Sequence, residues 1–391
     1  MDPTDAALAG APPKTLAPRK LAVVLFNLGG PDGPAAVRPF LENLFTDPAI
    51  LRFPGFIRKP LGRFIAARRT KAAMANYAIL GGGSPLRALT EDQGRALAAA
   101  LSGDGPEGPM LARCFVAMRY WHPFTEEAMA DVVAFAPDEV VLLPLYPQFS
   151  TTTTGSSLTA WHAAAAKAGI GAPAATLCCW HSDEGFVRAT AEIVRRSWDE
   201  ARAAVPEGTP LRLLFSAHGL PERIVKAGDP YQWQVERSVA SVVEALAIPG
   251  LDHALCYQSR VTPQKWLGPS AEEEIARAGA EGVALLVCPI AFVSEHSETL
   301  VELDVEYREL AHAKGVPGYF RVPAQNSDAG FIAALAGLVH RVRAETRGSR
   351  DRAGGKLCSF AGGRQCPKAH GGCPHEGLSP LRAVAAQRVA A

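Results

Sequence analysis

The sequence predicts an α/β protein in two halves, each built on a parallel sheet covered on both faces by helices. Short, near-continuous apolar runs recur along the chain, as at Lys20–Asn27 (KLAVVLFN), Val140–Leu145 and Leu211–Ser216. Strands of that composition are buried on both faces, the condition of a parallel sheet. The runs alternate with helix-length segments of mixed polarity, the rhythm of repeated βα units. That rhythm restarts after a polar break at Val205–Pro210, the natural division between the halves.

In chain order, residues 1–18 carry two aspartates before any basic residue and no apolar core of signal-peptide type. They read as a disordered lead into a cytoplasmic protein. Lys20–Gly33 is a buried strand ending in a Gly-Gly-Pro turn. In Leu51–Arg69 (LRFPGFIRKPLGRFIAARR) large apolar residues alternate with arginine and lysine, which suits either a soluble helix or an amphipathic lip resting on a bilayer. Strands at Met110–Met118 and Val140–Leu145 flank a helix at Thr125–Phe135. Tyr146–Ser157 (YPQFSTTTTGSS) is a polar loop whose last hydroxyls can cap a helix starting near Leu158. A strand at Ala174–Cys179 and a helix over Glu184–Ala204 complete a first lobe, residues 19–205.

The second lobe, 206–326, alternates through Leu211–Ser216, Tyr231–Leu246, Asp252–Gln258, Ala271–Ala278 and Gly282–Val287. A closing helix occupies 327–345. Residues 346–391 form a polar, glycine-rich tail that stays loose unless something such as a metal site ties it down.

Composition narrows the function. At 391 residues the chain can bury a full core, and 40 Lys plus Arg against 39 Asp plus Glu leave a formal net charge of +1. That balance gives no reason to expect a nucleic acid or another polyanion as partner. No apolar run reaches the roughly 18 to 20 residues of a membrane span. Of the eight cysteines, Cys114, Cys256 and Cys288 sit in apolar strands, where a free thiol behaves as a small hydrophobe, and Cys178 and Cys179 end another apolar run. Cys358, Cys366 and Cys373 lie in the tail, where core packing does not explain them.

Two segments carry the chemistry. LRLLFSAHGLP, Leu211–Pro221, runs a strand into a loop bearing His218 between small neighbours. Ligands of parallel α/β proteins bind at the C-terminal ends of strands. An approachable histidine there can exchange protons near neutral pH or donate a lone pair to a metal. LLVCPIAFVSEHSETLVELDVEY, Leu285–Tyr307, runs a second strand into His296, Glu298, Glu302 and Glu306, the three glutamates four residues apart. On a helix they share one acidic stripe. The row suits either a solvated face or a line of carboxylates that passes protons, and burial with raised pKa values would favour the latter. There is no Gly-x-Gly-x-x-Gly after the first strand, GGGSP at Gly81–Pro85 lacks the lysine of a phosphate loop, and neither His-Glu-x-x-His nor Gly-x-Ser-x-Gly occurs.

Taken together, FNLGGP (Phe26–Pro31), GGGSP (Gly81–Pro85), MRYWHP (Met118–Pro123), LPLYPQFS with TTGSS (Leu143–Ser157), FSAHGLP (Phe215–Pro221), YQSR with WLGP (Tyr257–Pro269) and the His296/Glu298 segment resemble the ferrochelatases. These enzymes insert ferrous iron into a porphyrin. The segments follow family order across about residues 20–345.

The resemblance implies two Rossmann-like lobes around a porphyrin cleft. It places the catalytic pair, which also meets the substrate Fe2+, on His218 and Glu298. The acidic conduit for protons and iron falls on Glu302 and Glu306 with His296 beside it. The pocket falls on Leu28, Pro31, Arg119, Tyr120 and Trp266. It implies protoporphyrin IX and heme as ligands, with coproporphyrin III or another tetrapyrrole as the runner-up substrate and a non-catalytic heme carrier as the reading from a different class. Family members occur as monomers and homodimers. An apolar lip at Phe53, Phe56, Ile57, Leu61, Phe64 and Ile65 suggests peripheral contact with an anionic membrane at the inner face of the cell membrane.

The resemblance also raises a [2Fe–2S] cluster. In the animal pattern one cysteine ligand lies inside the YPQ-S loop and three near the C-terminus, but here Thr151 stands at the loop position. The tail presents Cys358-x7-Cys366-x6-Cys373, similar to some bacterial members. Cys178 or Cys179 is the candidate fourth ligand, ahead of His370 or a partner subunit; a metal-free tail and a zinc site are the alternatives. Trp121 is a second departure, since a smaller residue is commoner beside the Arg-Tyr pair.

Overall fold

The computed structural model describes residues 17–105, 108–259, 264–346 and 356–375. The expected lead falls almost wholly outside them, as do Arg260 of the YQSR segment and the ends of the tail. The first half comprises β1 (Arg19–Asn27), α1 (Val37–Phe45), α2 (Gly55–Ile79), α3 (Leu86–Leu101), β2 (Gly103–Gly105), β3 (Gly108–Met118), α4 (Thr125–Phe135), β4 (Glu139–Pro144), α5 (Thr154–Ala168), β5 (Ala174–Leu177) and α6 (Glu184–Ala204). The second comprises β6 (Leu211–His218), α7 (Glu222–Lys226), α8 (Tyr231–Leu246), β7 (His253–Gln258), α9 (Ala271–Glu281), β8 (Ala284–Pro289), a π-helix (Glu298–Glu306), α10 (Tyr307–Ala313) and β9 (Tyr319–Arg321). The chain then forms α11 (Ala329–Thr346) and β10 (Lys356–Cys358).

A six-stranded sheet has the order β10-β5-β4-β1-β3-β2, and a four-stranded sheet the order β7-β6-β8-β9. All pairings are parallel except the β2–β3 hairpin. The apolar runs occupy the interior positions as their composition requires. Leu21–Phe26 of β1 and Leu213–Phe215 of β6 are almost entirely inaccessible to solvent. The halves share one apolar core, in which Leu25 and Leu143 of the first sheet and Leu213 and Leu286 of the second join through residues of α6 and α11. Helix α11 thereby packs back against α3, β4 and β5 of the first half.

The two glycine-rich motifs of the first half interlock. A Cβ on Gly30 would lie 2.5 Å from the Ser84 side chain, and the Ser84 N–H donates to the Pro31 carbonyl at 2.7 Å. The turn that brings GGGSP there has φ of +84° at Gly81 and +103° at Gly82, a region where side chains are strained.

Three expectations change. Helix α5 starts at Thr154, not near Leu158, and its N-cap Thr153 makes no side-chain cap. The hydroxyls of the loop instead serve long-range bonds: Ser150 and Thr151 to Asp229, Ser156 to Asp47. Glu298–Glu306 winds as a π-helix rather than an α-helix, a wider turn found often at functional sites. It buries Leu303 and Tyr307 while the glutamates face elsewhere. The tail over 356–375 is tied down: β10 extends the first sheet beside β5, and Gly372 donates to the Gly228 carbonyl at 2.9 Å. The basic, apolar stretch at Leu51–Arg69 is mostly helix α2, on which Phe56 and Phe64 are 80% and 58% exposed. Phe53, just before it, and Ile57 are also exposed, but Leu61 and Ile65 are partly covered, Ile65 by the cluster around α1. No helix among the described residues is long and apolar enough to cross a membrane.

Candidate active site

The C-terminal ends of β6, β7 and β8 carry one polar constellation. His218 is the last residue of β6, Gln258 the last of β7, and the segment after β8 leads through His296 into the π-helix. His218 Nδ1 lies 2.9 Å from Glu298 Oε2, and His296 Nε2 is 3.9 Å from the same oxygen. The His218 and Glu298 side chains are 38% and 26% exposed, so both remain within reach of solvent. His296 is buried, its ring 4.6 Å from that of Phe292.

Electrostatics set the protonation states. Burial disfavours charge on His218, but the Glu298 charge and hydrogen bond, with Glu302 behind them, outweigh it and raise the imidazole pKa above its ordinary value. Burial likewise works against the Glu298 charge, and His218, then His296, overcome it and hold the carboxyl well below its usual range. Both shifts favour imidazolium and carboxylate in the pair. Burial lowers the pKa of His296. Glu302 shifts the other way, raised by burial and then by the Glu298 charge. Neighbouring carboxyls with pKa values pushed apart are the arrangement of a proton relay.

Around this row sits a frame of hydrogen bonds, of which the sequence motifs contained Gln258, Ser259 and Ser216 without a role and missed the rest. Gln258 Nε2 donates to Glu302 Oε2 at 2.9 Å and to the Glu298 carbonyl at 3.2 Å, while its own Oε1 accepts from Ser216. Ser259 also donates to Glu302 Oε2. Tyr231 donates to the His218 carbonyl at 3.1 Å. From the first half, the buried Gln93 donates to the carbonyls of Val293 and Asn326 and accepts from Ser294, gripping the segment that bears His296. Arg321 bonds Glu295 and Asp304 at 2.8 Å each, fixing that segment to the π-helix. Glu306 is exposed at the outer end, where Asn76 of α2 donates to it at 3.2 Å.

The opposite wall follows β1 and β3. Arg119 and Tyr120 continue the β3 pairing onto the carbonyls of Asn27 and Leu28. Tyr120 is buried, its hydroxyl donating to Asp47. One oxygen of Asp47, Oδ2, takes three partners: Arg119 at 2.7 Å, Ser156 at 2.7 Å and Tyr120 at 3.0 Å. Leu28 is partly buried beside this cluster and Pro31 is buried in the turn below it. Trp266 lies beside His218: its segment pairs with Pro221, and Gly219 passes so close that an added Cβ would sit 3.3 Å from the indole.

The cysteines divide as their sequence contexts suggested. Cys256 and Cys288 are buried in strands and Cys114 is partly buried in one, whereas Cys178, Cys179, Cys358, Cys366 and Cys373 are all buried around β5 and the tail. The Sγ atoms of Cys178 and Cys179 are 3.3 Å apart, and the Cys178 N–H donates to the Cys358 carbonyl at 2.7 Å. Burial, then Cys179, Cys373 and Cys366, push the Cys178 thiol far up; the Cys373 hydrogen bond, then burial, do so for Cys366. Crowding and burial therefore favour the neutral thiol at both positions. Among the described residues, no group of three or more His, Cys, Asp or Glu side chains closes on a single-ion site. Thr151, at the loop position, bonds Asp229 instead.

Comparison with known proteins bears on these assignments. A ferrochelatase family profile matches residues 20–343. The chain is 53% identical over 353 residues to a ferrochelatase of Caulobacter vibrioides, covering 90% of this chain and 99% of that one. It is 53% identical over 356 residues to a ferrochelatase of Phenylobacterium zucineum, covering 90% and 97%. Among solved structures, SirB from Bacillus subtilis with Fe3+ superimposes with a TM-score of 0.50 at 14% identity, covering 85% of this chain and 99% of that one, a likeness of fold alone. With a family match across both lobes and relatives of this identity over nearly their whole length, the chain belongs to the ferrochelatase family.

Proposed function

We propose that this protein inserts Fe2+ into protoporphyrin IX, forming protoheme and releasing two protons. The observation that carries the reading is the His218–Glu298 pair at 2.9 Å at the cleft end of β6, with a relay of carboxyls behind it. A planar porphyrin holds two N–H protons inside the ring, so iron enters only as those protons leave to an acceptor. His218 is that acceptor once its own proton has moved onward through Glu298 to Glu302. Vacated, the imidazole and the Glu298 carboxylate offer nitrogen and oxygen donors that suit Fe2+. Leu28, Arg119 and Trp266 form the walls that hold and bend the macrocycle, with the buried Pro31 and Tyr120 supporting them from behind. The Arg119 charge is already balanced by Asp47, which favours the less carboxylated protoporphyrin over coproporphyrin III.

Two further features belong to this reading. The exposed Phe53, Phe56, Ile57 and Phe64, with basic neighbours, form a lip that rests on an anionic membrane and passes poorly soluble porphyrin and heme between bilayer and cleft. Cys358, Cys366, Cys373 and either Cys178 or Cys179 hold a [2Fe–2S] cluster. Their burial together beside β5 supports the reading, since a polar, glycine-rich tail has no core-packing reason to bring three cysteines to two others. When bound, the cluster ties the tail to the first lobe; insertion exchanges no electrons and needs none from it.

Anaerobic protein given Fe2+ and protoporphyrin IX should quench porphyrin fluorescence, with a higher kcat/KM than for coproporphyrin III. No turnover by folded protein would sink the assignment, and a reversed preference would change the substrate. His218→Ala should lower the rate by about 10²- to 10⁴-fold.

The pH profile tests the pair. A proton acceptor is lost as pH falls through its pKa, so the acid limb of kcat/KM should lie above the ordinary histidine value near about 6.5. Glu298→Gln removes the charge that raises His218 and leaves burial, which lowers it; the limb should move to lower pH while the plateau falls. An unmoved limb would remove His218 as its source.

Protein made with competent cluster assembly should contain about two acid-labile sulfides and two non-heme irons per chain. Cys366→Ser should lose both, and whichever of Cys178→Ser and Cys179→Ser does the same identifies the fourth ligand. Colourless, sulfide-free wild-type protein would reject the cluster.

Anionic liposomes should float the protein, and Phe56→Ser with Phe64→Ser should abolish flotation while leaving insertion in detergent intact. Equal flotation of the double variant would place the contact elsewhere.

A further inference from the structure

We propose that Tyr307 and Glu272 form a proton exit from Glu302, separate from the outward row that ends at Glu306. This rests on the reading of Glu302 as a relay group and gives that relay a defined outlet. The sequence spacing suggests one line through Glu298, Glu302 and Glu306. The hydrogen bonds fork instead. Glu298 and Glu302 are linked only through Gln258, which bonds the Glu298 carbonyl and the Glu302 carboxylate; Glu302 and Glu306 share no bond, and the Glu306 carboxylate faces solvent and Asn76. From Glu302 the bonded continuation is Tyr307, whose hydroxyl lies 3.1 Å from Glu302 Oε1 and 3.3 Å from Glu272 Oε1. Glu272 is exposed in the first turn of α9.

The donors around Glu302 give the branch a direction. Its Oε2 accepts from both Gln258 and Ser259, so a proton on this carboxyl belongs on Oε1, the oxygen that faces Tyr307. One phenolic proton stands between two carboxyls, so it can donate to only one of them at a time. When Glu302 is protonated it donates to the Tyr307 oxygen while Tyr307 donates to Glu272. In the hop, the Glu302 O–H bond breaks as a new bond forms on the Tyr307 oxygen, and the old Tyr307 O–H bond breaks as one forms on Glu272. Glu302 is left as carboxylate, Tyr307 as neutral phenol, and Glu272 passes its proton to water. Rotation of the phenol hydroxyl resets the chain.

The branch is selective by construction. The Tyr307 ring is 5% exposed and packed among Leu303, Ala311 and Ile275, so neither a hydrated cation nor free water follows that route. A proton needs only the hydroxyl. Iron and protons therefore use different arms: the exposed Glu306 mouth admits a cation, and Tyr307 discharges the protons that the cation displaces. Outward of Glu302, opposed traffic of like charges along one file of carboxylates is avoided.

The test is single-turnover insertion of Fe2+ into protoporphyrin IX by the full chain in dilute MES, in H2O and in D2O. Tyr307→Phe and Glu272→Gln should each slow the step by about tenfold, enlarge the solvent isotope effect and leave the porphyrin KM unchanged. Raising MES concentration should restore the rate, since a mobile buffer replaces a lost proton outlet but does not repair misplaced side chains. Wild-type rates in both variants, or slowed rates that ignore buffer, overturn the exit. Glu302→Gln separates the exit from the relay beneath it. A slow Glu302→Gln with normal Tyr307→Phe and Glu272→Gln rejects only the exit, whereas a normal Glu302→Gln rejects the relay as well. If Tyr307→Phe fails to fold, Glu272→Gln, at an exposed position, decides alone.

Discussion

The contact between His218 and Glu298 is the constraint around which the second lobe is arranged. The two residues are 80 apart in sequence, one ending a central strand and the other opening a π-helix, yet their ring nitrogen and carboxylate oxygen meet at 2.9 Å. A charge-assisted bond of this kind is strong only while both partners stay in place and water is limited. The surrounding polar residues meet that requirement. Gln258 holds the π-helix backbone, Tyr231 the His218 carbonyl, and Arg321 with Gln93 the segment between β8 and the helix. Each is a long-range bond, and together they position the reactive pair from both lobes.

The opposite wall applies the same logic with a single atom. Asp47 Oδ2 gathers Arg119 and Tyr120, just after β3, and Ser156 from the first turn of α5. A buried carboxylate with three donors is well satisfied, and the guanidinium it pairs with is oriented and neutralised at once. The YPQFSTTTTGSS loop therefore does little capping of its own helix. Its hydroxyls reach outward to Asp47 on one side and Asp229 on the other.

Through Asp229 that loop also meets the tail. Gly228 has φ of +99° and approaches Gly371 and Gly372 so closely that a Cβ would lie 2.9 Å from a backbone nitrogen. The next residue, Asp229, accepts from Ser150, Thr151 and the Tyr231 backbone, and Tyr231 reaches His218. Gln234, one turn along α8, donates to Cys366 Sγ and accepts from the Phe149 backbone. The cysteine-bearing tail thus rests on the same short segment that supports His218, a mechanical link between the two.

The sequence by itself determined the parallel α/β architecture, the strands that end at His218 and before His296, and the acidic row, because each is written in local composition or spacing. Near-continuous apolar runs specify strands buried on both faces, and a histidine just past such a run is at a ligand-binding end. The tertiary structure alone decided the rest. Nothing local distinguishes Gln93, Asp47 or Arg321 from surface polar residues; their roles come from partners 200, 72 and 26 positions away. The start of α5 was misplaced because Thr and Ser favour caps by local propensity, whereas here distant carboxylates compete for the same hydroxyls. The π-helix escaped periodicity because a spacing of four fits an α-turn equally well, and nothing in the local sequence marks the wider one. The fork at Glu302 follows from that turn, since a hydrogen bond depends on where atoms meet in space, not on how far apart their residues stand in the chain.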